Sequence, residues 1–161
     1  MKAIRFAFVT LFLATVAVAQ TKVSGTVQCG KADQQSALDV ADRPHHSLMI
    51  AQGKCTWTQP MEINGAKSKE DSFTVSSDVS GNSVRETGYV TDTTDSGDKY
   101  TVRVQGTMAM ADGKQVSEKG TWTFVSGTGK LKGIKGKGTF EGKADGDNMN
   151  ISVEGEYELP K

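Results

Sequence analysis

The stretch YTVRVQGTMAM, residues 100–110, decides the fold. Tyr100, Val102, Val104, Gly106, Met108 and Met110 share one parity, while Thr101, Arg103, Gln105 and Thr107 share the other. Side chains on a strand alternate between faces, so this is a ribbon with one face in a core and one in water. VSGTVQC (23–29), GTWTFV (120–125) and MNISVEGEYEL (149–159) read the same way. Turn residues punctuate them: SGN at 80–82, DSGD at 95–98, ADGK at 111–114 and ADGDN at 144–148. Glycine beside Asp or Asn tolerates positive φ and closes hairpins.

The reading predicts strands at 21–29, 46–52, 54–59, 71–79, 83–92, 98–111, 115–126, 129–142 (with a break near Ile134) and 148–159. KADQQSALDVADRP, residues 31–44, does not alternate and reads as a loop with room for one helical turn. The fold class is therefore all-β: an antiparallel up-and-down barrel of eight strands, or nine if Ile134 divides one. Closing the sheet removes edges that an open sheet must protect. A flattened sandwich is the alternative.

Residues 127–146, GTGKLKGIKGKGTFEGKADG, hold seven glycines and five lysines. A phosphate loop needs a glycine five residues before its Gly-Lys pair. Those places are Phe124, Leu131 and Lys137. What remains is a repeat of Gly-x-Gly-x-apolar-x-Gly, at 127–133 and 136–142. By parity the glycines with Leu131 and Phe140 face inward and the lysines face water. Glycine inside a strand marks a sharp bend or a close approach, here the coiling of strongly curved strands.

MKAIR followed by an apolar run and Ala-Val-Ala at 17–19 reads as a secretory signal, residues 1–19, with one domain over residues 20–161. The run is too short to span a bilayer, and no later segment is apolar enough. Without Lys2 and Arg5 the domain holds 17 basic and 19 acidic residues, a net of −2. That balance gives no reason to expect nucleic acid as a partner. Two cysteines in an exported chain predict a Cys29–Cys55 disulfide. They are too few for a zinc site, and neither metal nor cofactor is expected.

The segment Ser126, Gly127, Thr128, Gly129, Lys130, Leu131, Gly133, Gly136, within GTWTFVSGTGKLKGIKGKGTFEG (120–142), resembles the C-terminal signature of allene oxide cyclase and dirigent-like barrels. Leu131 stands where that family commonly has an aromatic. The resemblance implies an eight-stranded barrel with a central cavity and a tendency to oligomerise. Members of the family guide cyclisation of reactive intermediates. None of their functional residues aligns with this chain, and fold does not carry activity with it. The short signal and small size suit a Gram-negative periplasmic or exported protein.

Glu86 shares parity with Val84, Gly88 and Val90, which would bring a carboxylate into the barrel unless the Tyr89 face is the inner one. A buried carboxyl has a raised pKa, as a general acid requires. Trp57, Tyr100, Trp122, Phe124 and Phe140 have inward parity and would line any cavity, favouring a flat apolar ligand. His45 and His46 are adjacent, point to opposite faces and cannot easily share a metal; they read as exposed residues at a strand start. Asp92, Asp95 and Asp98 read as hairpin residues rather than a calcium loop. Three functions follow: a non-catalytic module holding a small apolar ligand, an isomerase or cyclase using Glu86 or one of the histidines, His45 or His46, beside an aromatic pocket, and a structural envelope protein with a solid core.

Overall fold

A computed structural model describes residues 20–160. The expected signal, residues 1–19, lies outside the described residues. The chain forms ten strands: β1 (Thr21–Cys29), β2 (Gln34–Asp39), β3 (His46–Gln59), β4 (Glu62–Ile63), β5 (Ala66–Ser80), β6 (Ser83–Thr94), β7 (Lys99–Ala111), β8 (Lys114–Gly127), β9 (Lys135–Asp145) and β10 (Asn148–Glu158). From β5 to β10 each strand pairs antiparallel with the next. β10 then pairs with β1, β1 with β3, and β3 with β5, which closes an eight-stranded antiparallel barrel. β2 and β4 are additions to it.

All four predicted turns form. At Asp112-Gly113 both residues have positive φ, 51° and 73°, as a two-residue hairpin loop with the right twist requires. Asn64-Gly65 makes the same turn between β4 and β5, with φ of 54° and 78°.

Three expectations are corrected. The supposed loop at 31–44 contains β2, whose six residues are all exposed and so carry no alternation. β2 follows β1 end to end along one edge of β3, pairing Gln34–Asp39 with Gln52–Ser47, while β5 occupies the other edge. The expected strands 46–52 and 54–59 are one continuous β3. The first half of the glycine repeat is not a strand. β8 ends at Gly127, a 3-10 turn covers Gly129–Leu131, and β9 starts at Lys135. Gly129 and Gly133 sit at φ 51° and 79°, and the turn drives Leu131 and Ile134 into the core.

In the second half of the repeat the alternation holds: Phe140 and Gly142 are buried, and Lys137, Thr139 and Glu141 are exposed. These glycines make room for rings. A β-carbon on Gly138 would lie 2.5 Å from the Trp122 indole, and one on Gly120 would lie 2.6 Å from the Phe140 ring. Trp122, Phe124 and Tyr100 stack edge to face, with centroids 5.1 and 5.4 Å apart.

Cys29 and Cys55 form the expected disulfide. They are direct partners across β1 and β3, with Cα atoms 4.2 Å apart. Such close opposition suits a non-hydrogen-bonded antiparallel pair. No helix among the described residues is long and apolar enough to cross a membrane.

Candidate functional site: a closed acidic end and an open acidic end

The two ends of the barrel differ. At the end formed by the β6–β7 turn and the 3-10 turn, Ile63, Leu131, Tyr100, Met61 and Ile134 are all buried and close the interior. At the other end, near the β5–β6 and β7–β8 hairpins, the inward residues Met49, Glu86, Met108, Met110 and Glu118 are only half-buried. That end, the mouth, is the less covered of the two, although Val84 and Ser77 are buried there.

Two pairs of carboxylates face inward, one at each end. At the closed end Asp92 on β6 stands opposite Asp71 on β5 and Tyr100 on β7. The Trp57 indole on β3 donates to Asp92 Oδ1 at 2.6 Å. The Tyr100 and Ser68 hydroxyls are bonded to each other at 2.6 Å. Asp71 Oδ1 has no hydrogen-bond partner. Burial pushes both carboxyls up, and the Asp92 charge adds to the shift at Asp71. The hydrogen bonds from Trp57 and Tyr100 pull Asp92 partly back. Burial and the neighbouring Asp92 also raise the Tyr100 phenol. Both carboxyls are thereby shifted toward their neutral forms, and a charge on one opposes a charge on the other. With Asp92 and Ser68 both 2% exposed, the group is sealed and acts within the core.

At the mouth Glu86 enters the barrel, as parity allowed. Its partners across the sheet are Ser77 on β5 and Gly106 on β7. Glu118, on β8, is partnered by Met108 and Gly142. Burial raises Glu86 to about 7, with a further contribution from Glu118. Burial raises Glu118 too, offset by the amide of Gln115, which donates to its Oε2 at 2.8 Å. Ser77 is 1% exposed, and its hydroxyl has no partner.

The expected ligand residues are divided between these groups. Trp57 and Tyr100 belong to the sealed pair; Trp122 and Phe124 fill the core beside them. Phe140 lies across Gly106 and Gly120, at the level of Glu86. Asp95 and Asp98 cap loops, accepting from the backbone N–H of Lys67 and Lys130. Asp92 is instead an inward strand residue, which corrects its reading as a turn residue. His45 is exposed, but His46 is buried between the carboxylates of Asp42 and Asp78. Among the described residues no cluster of three His, Cys, Asp or Glu side chains could hold a metal ion.

Sequence reasoning missed Asp71, Asp92 and Glu118. The parity that placed Glu86 also places Asp92 six residues along β6, and Trp122 places Glu118 in the same manner.

No protein-family model matches the chain, and no curated protein matches it. Among solved structures it is similar to a conserved protein of unknown function from Rhodopseudomonas palustris, with a TM-score of 0.53 at 12% identity. That match covers 88% of this chain and 99% of the other. A protein of unknown function from the DUF3224 family, from Shewanella oneidensis MR-1, matches at 16% identity with a TM-score of 0.48, covering 89% and 100%. At such identity the first likeness is one of fold.

Proposed function

We propose that the protein is a non-catalytic module that takes a small, largely apolar molecule into the open end of its barrel. One observation supports this: Met49, Met108 and Met110 are half-buried, whereas Met61, Ile63, Tyr100, Leu131 and Ile134 at the other end are buried. Methionine adapts to irregular apolar shapes, and an apolar mouth with a few polar groups is what a small-molecule site needs. The test is native mass spectrometry of protein purified from its own host. A co-purifying small molecule that is lost when Met108→Trp blocks the mouth supports the reading. Persistent emptiness of a stable protein overturns it.

A second reading, an isomerase or cyclase, is favoured by the position of Glu86, a reachable acid with its pKa raised to about 7. Turnover of a bound molecule, abolished by Glu86→Gln, would replace the first reading with this one. The packing of rings onto glycines, which through Phe140 reaches the level of Glu86, supports the third expectation, a solid core. The motif at 126–136 supports membership of the allene oxide cyclase and dirigent-like barrels and, with it, self-association. The disulfide supports an oxidising location, periplasmic or extracellular.

A further inference from the structure

We propose that the molecule received at the mouth is an organic cation, a primary ammonium on an apolar body, held by Glu86, Glu118 and Ser77. The inference rests on the binding reading above and names the chemistry of its ligand.

Three observations carry it. First, the two carboxylates lack a counter-charge. Among the described residues neither forms a salt bridge, and the lysines and arginines of the surrounding strands, such as Arg85, Arg103, Lys119 and Lys143, are exposed on the outer face. The side chains that face Glu86 are Ser77 from β5, Met49 from β3, Met108 from β7, Glu118 from β8 and Phe140 from β9. Glu118 is the only titratable group in that set. Carboxylates brought together in a half-buried site favour a cation.

Second, the Ser77 hydroxyl is buried without a partner directly across from Glu86. Buried polar groups are normally satisfied. An ammonium offers three N–H donors, and Glu86, Glu118 and Ser77 offer three acceptors. Gln115 already holds one oxygen of Glu118 and fixes its carboxylate in place. Third, the surroundings are apolar on the remaining sides. Met49, Met108 and the Phe140 ring border the acids, the ring lying over Gly106 and the Glu118 side chain over Gly142. A bare metal ion is disfavoured here, because no third ligating acid, histidine or cysteine joins the pair.

The test is calorimetric titration of the purified protein with hexylamine, against hexanol and hexanoate as tails of the same length. Hexylamine is expected to bind at least tenfold more tightly than hexanol, and hexanoate not at all. Between pH 6 and pH 8 its affinity should rise by up to about tenfold, as Glu86 loses its proton near pH 7. Glu86→Gln should abolish both the preference and the pH dependence. Ser77→Ala, which removes no charge, should weaken hexylamine and leave hexanol unchanged. Hexanol binding as well as hexylamine would overturn the cation and leave the apolar module standing. No binding of hexylamine to the wild-type protein would also overturn it, and the mass-spectrometric test would then judge the module separately.

Discussion

Asp71 and Asp92 face each other across β5 and β6 inside the sealed end of the barrel, and the Trp57 indole is bonded to Asp92. Their folded-state pKa values lie above those of the unfolded chain. The native protein therefore binds more protons than the unfolded chain between about pH 4 and pH 8, and its stability falls as pH rises through that window. Above the folded values the loss levels off. The melting temperature is expected to drop by roughly 5–10 °C between pH 5 and pH 8. Asp71→Asn should flatten this profile in a thermal scan. An unchanged slope would show that the pair does not govern it.

The disulfide joins β1 to β3, strands that pair only between Thr26–Cys29 and Cys55–Gln59. Reducing it, or replacing both cysteines by serine, should cost about 3–4 kcal/mol for a loop of this size. Urea midpoints with and without reductant measure this. A difference below about 1 kcal/mol would mean that the strands hold the seam unaided.

Phe140 and Gly106 should prove coupled. Phe140→Ala empties a buried ring site and should cost about 3–5 kcal/mol. Gly106→Ala, whose β-carbon would lie 2.8 Å from that ring, should cost about 1–3 kcal/mol by overpacking. The double variant should lose less than the two costs added together. Strict additivity in denaturant melts would remove the ring-on-glycine account.

Two leucines give a clean contrast. Leu131 is 1% exposed beneath the 3-10 turn, and Leu38 is 73% exposed on β2. Leu131→Ala should cost about 2–5 kcal/mol, while Leu38→Ala should stay within about 0.5 kcal/mol. Equal effects would mean that the turn does not close its end of the barrel.

Most of the barrel was legible because its strands obey a period of two and its turns contain glycine with Asp or Asn. Glu86 was placed by parity alone. What escaped lay where that rule loses its signal. QQSALD of β2 is exposed on both faces, so it shows no alternation and passed for a loop. GTGKLKG does alternate in letters, yet positive φ at Gly129 and Gly133 bends the backbone out of a strand, and composition alone does not reveal φ. TDTTDSGD looked like one turn because its acids are crowded together. Its first aspartate still belongs to β6, and only the register with Asp71 and Tyr100 shows what it meets. The mouth itself was invisible in one dimension, since Met49, Glu86, Met108, Met110 and Glu118 come from four strands.

Thr21 is paired with Tyr157, so the first and last strands of the described residues are joined. Strands β5 to β10 pair as neighbouring hairpins, whereas β1 and β10 are far apart in sequence, a contact whose loop-closure cost is larger. The Cys29–Cys55 bond joins residues only 26 apart in sequence, so it does not depend on that long-range joint.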